Sequence, residues 1–210
     1  VSAVRAGNTI LILSDRDITE QTLPVHALLA AGAVHRRLIS EGLRCDANIV
    51  VETATARNSH EFAALIGYGA TAVYPYLAYQ CIYRLCNAGD YPDKPDTEVL
   101  KDYRRGINKG IYKILSKMGI SSITSYRGAQ LFEAVGLHRE VIDLCFTDTV
   151  CRIQGSGFAE LDADRRQLAR AAWDVRRHRD RGGLFKYVAG CEYHAFNPDV
   201  VQALQRAVKT

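Results

Sequence analysis

The sequence predicts an α/β chain: partial, barrel-like (TIM-type) parallel β/α units followed by a C-terminal helical and irregular extension. Three observations predict it. Short apolar runs alternate with segments of helical periodicity. The first run, Ile10-Leu11-Ile12-Leu13, is continuously apolar, as expected for a parallel strand buried on both faces. Only about four strands are legible in 210 residues, whereas a complete (β/α)8 barrel takes roughly 250.

The elements follow in order. Residues 8–14 read as the first strand, and 15–22 as polar loop. Pro24 can open a helix. Val25, Leu28, Leu29, Gly32, Ile39 and Leu43 keep helical spacing up to the stop at Gly42. Ile49-Val50-Val51 forms the second strand, closing with Glu52-Thr53. Asn58 with Glu61 three residues on is a capping-box signature, so a helix covers residues 59–66. Residues 71–74 read as a third strand, and Pro75 opens a helix through Leu85. Gly89, Pro92 and Pro95 mark a loop. The next helix carries Val99, Tyr103, Ile107, Ile111, Ile114 and Met118 on one side and ends at Gly119, with Asp96 as its expected N-cap. Residues 120–125 then read as a fourth strand, and Gly128-Ala129 open a helix ending near Gly136. A short helix over 137–146, a connector over 147–158, a charged helix over 160–179 and a last helix opened by Asn197-Pro198-Asp199 complete the chain. The expected division is a β/α region over 1–146 and a connector with helices over 147–210.

Composition sets bounds on function. Hydrophobic residues make up 48% and charged residues 24%, ordinary for a globular protein. No apolar run approaches the ~18 residues of a membrane span, and residues 1–12 lack the pattern of a signal peptide. A cytoplasmic or plastid-like compartment is therefore expected, with six reduced cysteines. Net charge is a mild +4, much of it at Arg165, Arg166, Arg170, Arg176, Arg177, Arg179 and Arg181. Asp162, Asp164, Asp174 and Asp180 are interleaved, which reads as a solvated helix face rather than a nucleic-acid footprint. The six histidines show neither HxH nor HExxH spacing, which speaks against zinc. His35 reads as a hydrogen-bonded histidine at the edge of the core. No GxGxxG, GxxxxGK[ST] or GxSxG occurs.

In parallel α/β folds chemistry gathers at the carboxyl ends of strands. Those ends offer Asp15, Glu52 and Arg127. If they converge, Asp15 and Glu52 form a carboxylate pair and Arg127 an anion clamp. The alternative is plain ion pairing among Asp15, Arg16, Glu52 and Arg127. The helix expected to start at Gly128 also offers a generic phosphate-binding N-terminus.

A string of words in fixed order carries a family resemblance. They are Leu13-Ser14-Asp15-Arg16, Leu28-Leu29-Ala30-Ala31-Gly32-Ala33-Val34-His35, Val50-Val51-Glu52-Thr53 and Leu65-Ile66-Gly67-Tyr68-Gly69-Ala70. Pro75-Tyr76-Leu77-Ala78, Ile107-Asn108-Lys109-Gly110, Ser116-Lys117-Met118-Gly119-Ile120-Ser121 and Ser125-Tyr126-Arg127-Gly128-Ala129-Gln130 follow. The chain resembles the large subunit of glutamate synthase over nearly its whole length, in the central domain and the lead-in to the FMN-binding domain. The resemblance implies a longer enzyme that makes two glutamates from glutamine, 2-oxoglutarate and a reductant, with FMN and an iron–sulfur cluster held elsewhere. Its partners would be the glutaminase and FMN-binding domains and an electron-donor subunit or ferredoxin, with no nucleic acid or membrane. The family's nucleophile is an N-terminal cysteine, but the first thiol here is Cys45, so no catalytic, cofactor or metal residue carries over. Local departures from the family words include Arg36, Arg37, Tyr74, Cys151 and Cys191.

Three readings follow: a non-catalytic interdomain segment of such an enzyme, a stand-alone barrel-like enzyme taking an anionic metabolite at the strand ends, and a non-enzymatic protein binding through the Arg-rich helix.

Overall fold

The computed structural model describes residues 1–174, 187–190 and 193–209. It divides into two units, Val1–Arg166 and Gln167–Thr210. The first unit begins with a single helical turn, α1 (Ser2–Arg5), and runs β1 (Ile10–Ser14), α2 (Ala27–Ser40), a 3-10 turn (Arg44–Asp46), β2 (Asn48–Glu52), α3 (Ser59–Gly67), β3 (Ala72–Tyr74), α4 (Tyr76–Asn87) and α5 (Asp96–Lys117). It continues through α6 (Ile123–Tyr126), β4 (Glu133–Ala134), α7 (Arg139–Cys145) and β5 (Val150–Cys151), and α8 (Phe158–Trp173) crosses into the second unit. The last element is α9 (Pro198–Lys209).

The main sheet is parallel, in the order β1-β2-β3, with Ile12 opposite Val50 and Val50 opposite Ala72. Side chains alternate across it. Ile49 and Val51, both fully buried, join Leu11, Leu13 and Val73 on the face covered by helices, where Ala31 and Leu38 of α2 and Phe62 and Leu65 of α3 complete the main core. Burying one such large aliphatic side chain contributes roughly 1.5–3 kcal/mol. The opposite face carries Ile10, Ile12, Val50, Ala72 and Tyr74. It is open: Ile10 is 60% exposed, Ile12 64% and Tyr74 43%. The expectation that the first strand is buried on both faces is thus corrected to burial on one. The sheet has three strands and does not close, so parallel α/β is what the structure shows, and no barrel is formed among the described residues.

Local signals explain the helix ends. The Asn58 side chain accepts from the backbone amides of His60 and Glu61, while Glu61 accepts from the Asn58 amide, completing the expected capping box. The start of α2 is capped by His26 rather than opened at Pro24, with Nδ1 accepting from the Leu28 amide at 3.2 Å. At α5 the N-cap is Pro95, not Asp96.

Two expectations fail between residues 120 and 136. No strand forms over 120–125. Gly119, at φ 68°, ends α5 in a left-handed turn, and the amides of Gly119 and Ile120 donate to the Ser116 and Leu115 carbonyls. This is a Schellman closure, and it uses Ile120 to finish a helix. Ile120 packs with Leu115 and Tyr126. The helix expected from Gly128 does not form either. Gly128 (φ 73°) and Gln130 (φ 52°) turn the chain, and β4 follows, pairing in parallel with β5.

In the second unit, the Tyr193 hydroxyl donates to Asp199 at 2.5 Å and Asn197 Oδ1 accepts from the His194 amide. These bonds set the start of α9, which presents Val201, Leu204 and Val208 outward. The expected charged helix is seen as far as Trp173, with an Arg166–Asp162 pair one turn apart. Residues 175–179 of that expected helix lie outside the described residues.

Candidate functional site

The carboxyl ends of β1 and β2 are held side by side by their register, Ser14 opposite Glu52. Ser14 Oγ donates to Glu52 Oε2 at 2.6 Å, and Arg16 Nε pairs with Glu52 Oε1 at 3.0 Å. The Arg16 guanidinium lies 5.0 Å from the Tyr76 ring centroid and 5.9 Å from that of Tyr74. Asp15 is 8% exposed and Thr53 fully buried. Asp15 accepts from Thr53 Oγ1 at 2.5 Å and from the Ala54 amide at 3.0 Å. Tyr76 donates from its hydroxyl to the Asp15 carbonyl at 3.3 Å. Burial and then the Asp15 neighbour push the Tyr76 phenol up to about 12, so it stays a donor. The arrangement locks two loops: one carboxylate is occupied by a buried hydroxyl and a backbone amide, the other by a serine and an arginine.

Arg127 is not there. It follows α6 rather than a strand, and Gly128, its neighbour, donates from its amide to the Gly67 carbonyl at 2.8 Å. That contact lies just before β3, at the amino ends of the strands. The three predicted residues therefore split. Glu52 pairs with Arg16, Asp15 is bonded to Thr53 and the Ala54 amide, and Arg127 sits at the other end of the sheet, so the three do not form the carboxylate pair and clamp drawn from the sequence. A cavity of about 470 Å³ does open near the carboxyl ends, between the start of α2 and the β2–α3 loop. Its lining includes His26, Leu28, Thr55, His60 and Leu77 but none of the three predicted residues. Burial, then the nearby Arg165 charge, lowers the His26 pKa.

The amino ends are organised by Arg44, which the sequence reading missed. Its Nε donates to His35 Nδ1 at 2.8 Å, Nη1 to the Ala47 carbonyl at 2.6 Å and Nη2 to the Gly69 carbonyl at 2.8 Å. One guanidinium thereby ties α2 to the entries of β2 and β3. His35 is hydrogen-bonded as expected. Burial, then the charges of Arg44, Arg127 and Arg36, depress its pKa to about 4, so the ring is neutral. Gly69 is required beneath it: φ is +109°, and a Cβ would lie 2.3 Å from the imidazole. Arg44 gives no sequence signal, because its acceptors are backbone carbonyls set by the fold.

The described cysteines, Cys45, Cys81, Cys86, Cys145 and Cys151, are free. Among the described residues no group of three or more His, Cys, Asp or Glu side chains is arranged to hold a metal, and no helix is long and apolar enough to cross a membrane.

The comparisons agree on a family. The model described as glutamate synthase central domain matches residues 1–138. The glutamate synthase [NADPH] large chain of Bacillus subtilis (strain 168) is 41% identical over 209 residues, 99% of this chain and 14% of that protein. Ferredoxin-dependent glutamate synthase 1, chloroplastic/mitochondrial, of Arabidopsis thaliana is 42% identical over 220 residues, again 99% of this chain and 14% of the relative. The ferredoxin-dependent glutamate synthase of Cyanidium caldarium is 40% identical over 98% of this chain. The chain thus spans about a seventh of the length of these relatives. On the family match over residues 1–138 and on identity near 40% over nearly the whole chain, the chain belongs to the glutamate synthase family, with residues 1–138 matching its central domain.

Proposed function

We propose that this chain serves as an interdomain scaffold of a glutamate synthase, carrying no chemistry by itself. The observation that carries the reading is the open face of the β1-β2-β3 sheet. Parallel sheets are covered on both faces almost without exception, yet Ile10, Ile12 and Tyr74 stand exposed here. Such a face would be covered if further parallel β/α units, paired at the edges of β1 or β3, curled the sheet around it toward the barrel-like form expected from the sequence. Residues 1–146 act as the β/α body, and 147–210 lead toward an FMN-binding region. The carboxylates at the strand ends support the scaffold reading, since Asp15 and Glu52 are occupied in holding loops.

In the whole enzyme, glutamine and 2-oxoglutarate would be converted to two glutamates using FMN and an iron–sulfur cluster bound elsewhere. The relatives' names divide between NADPH and ferredoxin, and the reductant is of one of these two kinds. A cytoplasmic or plastid compartment suits either. The test places this segment in a full-length glutamate synthase. The hybrid should form glutamate from glutamine, and Ile12→Asp should abolish that activity while leaving the helical circular dichroism of the isolated chain unchanged. Glutamine hydrolysis or tight FMN binding by the isolated chain would overturn the reading.

A further inference from the structure

Of four local irregularities in the described residues, three line one cavity and the fourth is their neighbour in sequence. Gln130 and Asp148 are the non-glycine residues with positive φ, at 52° and 66°. The Tyr126 hydroxyl and Arg127 Nε are the buried side-chain polar atoms without a hydrogen-bond partner. Tyr126, Gln130 and Asp148 all line one cavity of about 140 Å³, and Arg127 sits between two lining residues, Tyr126 and Gly128. Buried polar atoms are almost always satisfied, and backbone strain persists where a functional arrangement holds it. Their coincidence marks a built site, formed in part by the Ser125–Gln130 word that the scaffold reading leaves unused.

The chemistry of the walls selects a ligand. Glycines 32, 67 and 128 contribute to the lining, and the rings of Tyr68, Phe132 and Phe146 form the apolar side, with Tyr68 stacked on Phe132 at 5.6 Å. His35 also lines the cavity. Its Nδ1 accepts from Arg44, so the neutral ring carries its proton on Nε2 as a donor. That nitrogen lies 3.7 Å from where a Cβ on Gly128 would stand. Arg36 lines the cavity as well, and Arg44 and Arg127 add positive charge around His35. The single carboxylate in the lining, Asp148, is exposed at the rim. The volume is close to the ~150 Å³ that takes a benzene ring, which suits a group of about six heavy atoms.

We propose that this cavity binds a small oxyanion, a carboxylate or a phosphate, which accepts hydrogen bonds from the Tyr126 hydroxyl and the His35 Nε2–H in the positive field of Arg36 and Arg127. The site does not depend on the scaffold reading, because Ile10, Ile12 and Tyr74, which carry that reading, do not line the cavity.

The test titrates the isotopically labelled 210-residue chain with sodium phosphate and, separately, with sodium acetate, holding ionic strength fixed with chloride. Saturable shifts of the Gly32, Gly67, Gly128 and Gln130 amides are expected with at least one of them. Saturation by phosphate alone assigns a phosphoryl group, and saturation by acetate a carboxylate. Tyr126→Phe removes one hydrogen bond to a charged group and should weaken binding about tenfold. Arg36→Gln, at an exposed position, should weaken it several-fold and serves if the tyrosine variant does not fold. The proposal is overturned if neither anion gives saturable shifts at these amides, or if the folded variants bind as the parent does.

Discussion

Gly32 sits where α2 crosses the end of α7, and replacing it with alanine tests how rigid that crossing is. A Cβ there would lie 2.0 Å from the Cys145 carbonyl oxygen and 3.1 Å from its carbon. Ordinary contact begins at 3.4 Å, so the carbonyl must retreat by about 1.4 Å, the difference between those two distances. A carbonyl inside packed backbone cannot rotate away as a side chain can. The retreat would pull on Val141, Ile142, Cys145 and Phe146, all buried in one cluster. Overpacking of this kind costs about 1–3 kcal/mol, and the helical propensity of alanine returns at most ~1 kcal/mol. Backbone contact puts the clash at or above the top of that range, so Gly32→Ala should destabilise by about 2 kcal/mol net. Gly106 supplies the opposite case. It is exposed in α5, with nothing within 4 Å of its prospective Cβ. Gly106→Ala should therefore stabilise by about 0.8–1 kcal/mol. Urea unfolding followed by circular dichroism reads both. With a slope of ~1–3 kcal/mol/M, Gly32→Ala should lower the midpoint by about 1 M and Gly106→Ala should raise it. A Gly32→Ala midpoint at or above the parent's would refute the reasoning.

Other perturbations probe the same framework. Asp15→Ala strips the acceptor from buried Thr53 and from the Ala54 amide, and should cost about 1–3 kcal/mol, with Asp15→Asn recovering part; an unchanged thermal midpoint for the alanine variant would show that the loop lock is not needed. The His35 ring should titrate by NMR with a midpoint of about 4. Because its folded pKa lies below the unfolded 6.5, the unfolded chain binds more protons between those values. This histidine's contribution to stability is therefore present above pH 6.5 and lost as pH falls toward 4, and a ring midpoint near 6.5 would contradict the Arg44 contact. Asn58→Ala should remove about 1 kcal/mol in urea unfolding by uncapping α3; no loss would mean that Glu61 alone holds the helix start.

The first half of the fold was legible because its signals are local. Apolar runs at residues 10–13 and 49–51 marked β1 and β2, and Asn58 with Glu61 marked α3. Residues 120–136 were not legible, for a physical reason. Ile120, Ile123 and Thr124 have strand propensity, yet the Schellman turn at Gly119 takes Ile120 for the end of α5, and Tyr126 draws the next turn against Ala63 and Leu115. β4 and β5 hold two residues each, too few for any period to show. At the site, Asp15 and Glu52 were found because both end strands that neighbour in sequence order. Arg127 was misplaced with the strand that does not form. Arg44 was invisible, since nothing near it in sequence shows that distant carbonyls converge on its guanidinium.

Among the described residues the outer edge of β1 has no neighbouring strand, and the run Ile10-Leu11-Ile12-Leu13-Ser14 contains no lysine, proline or other guard against pairing with a stranger. The chain is consequently adhesive along that border. In a crowded cell a freshly made copy would recruit whatever extended peptide reaches it first, and the speed with which its proper neighbour arrives decides between assembly and aggregation.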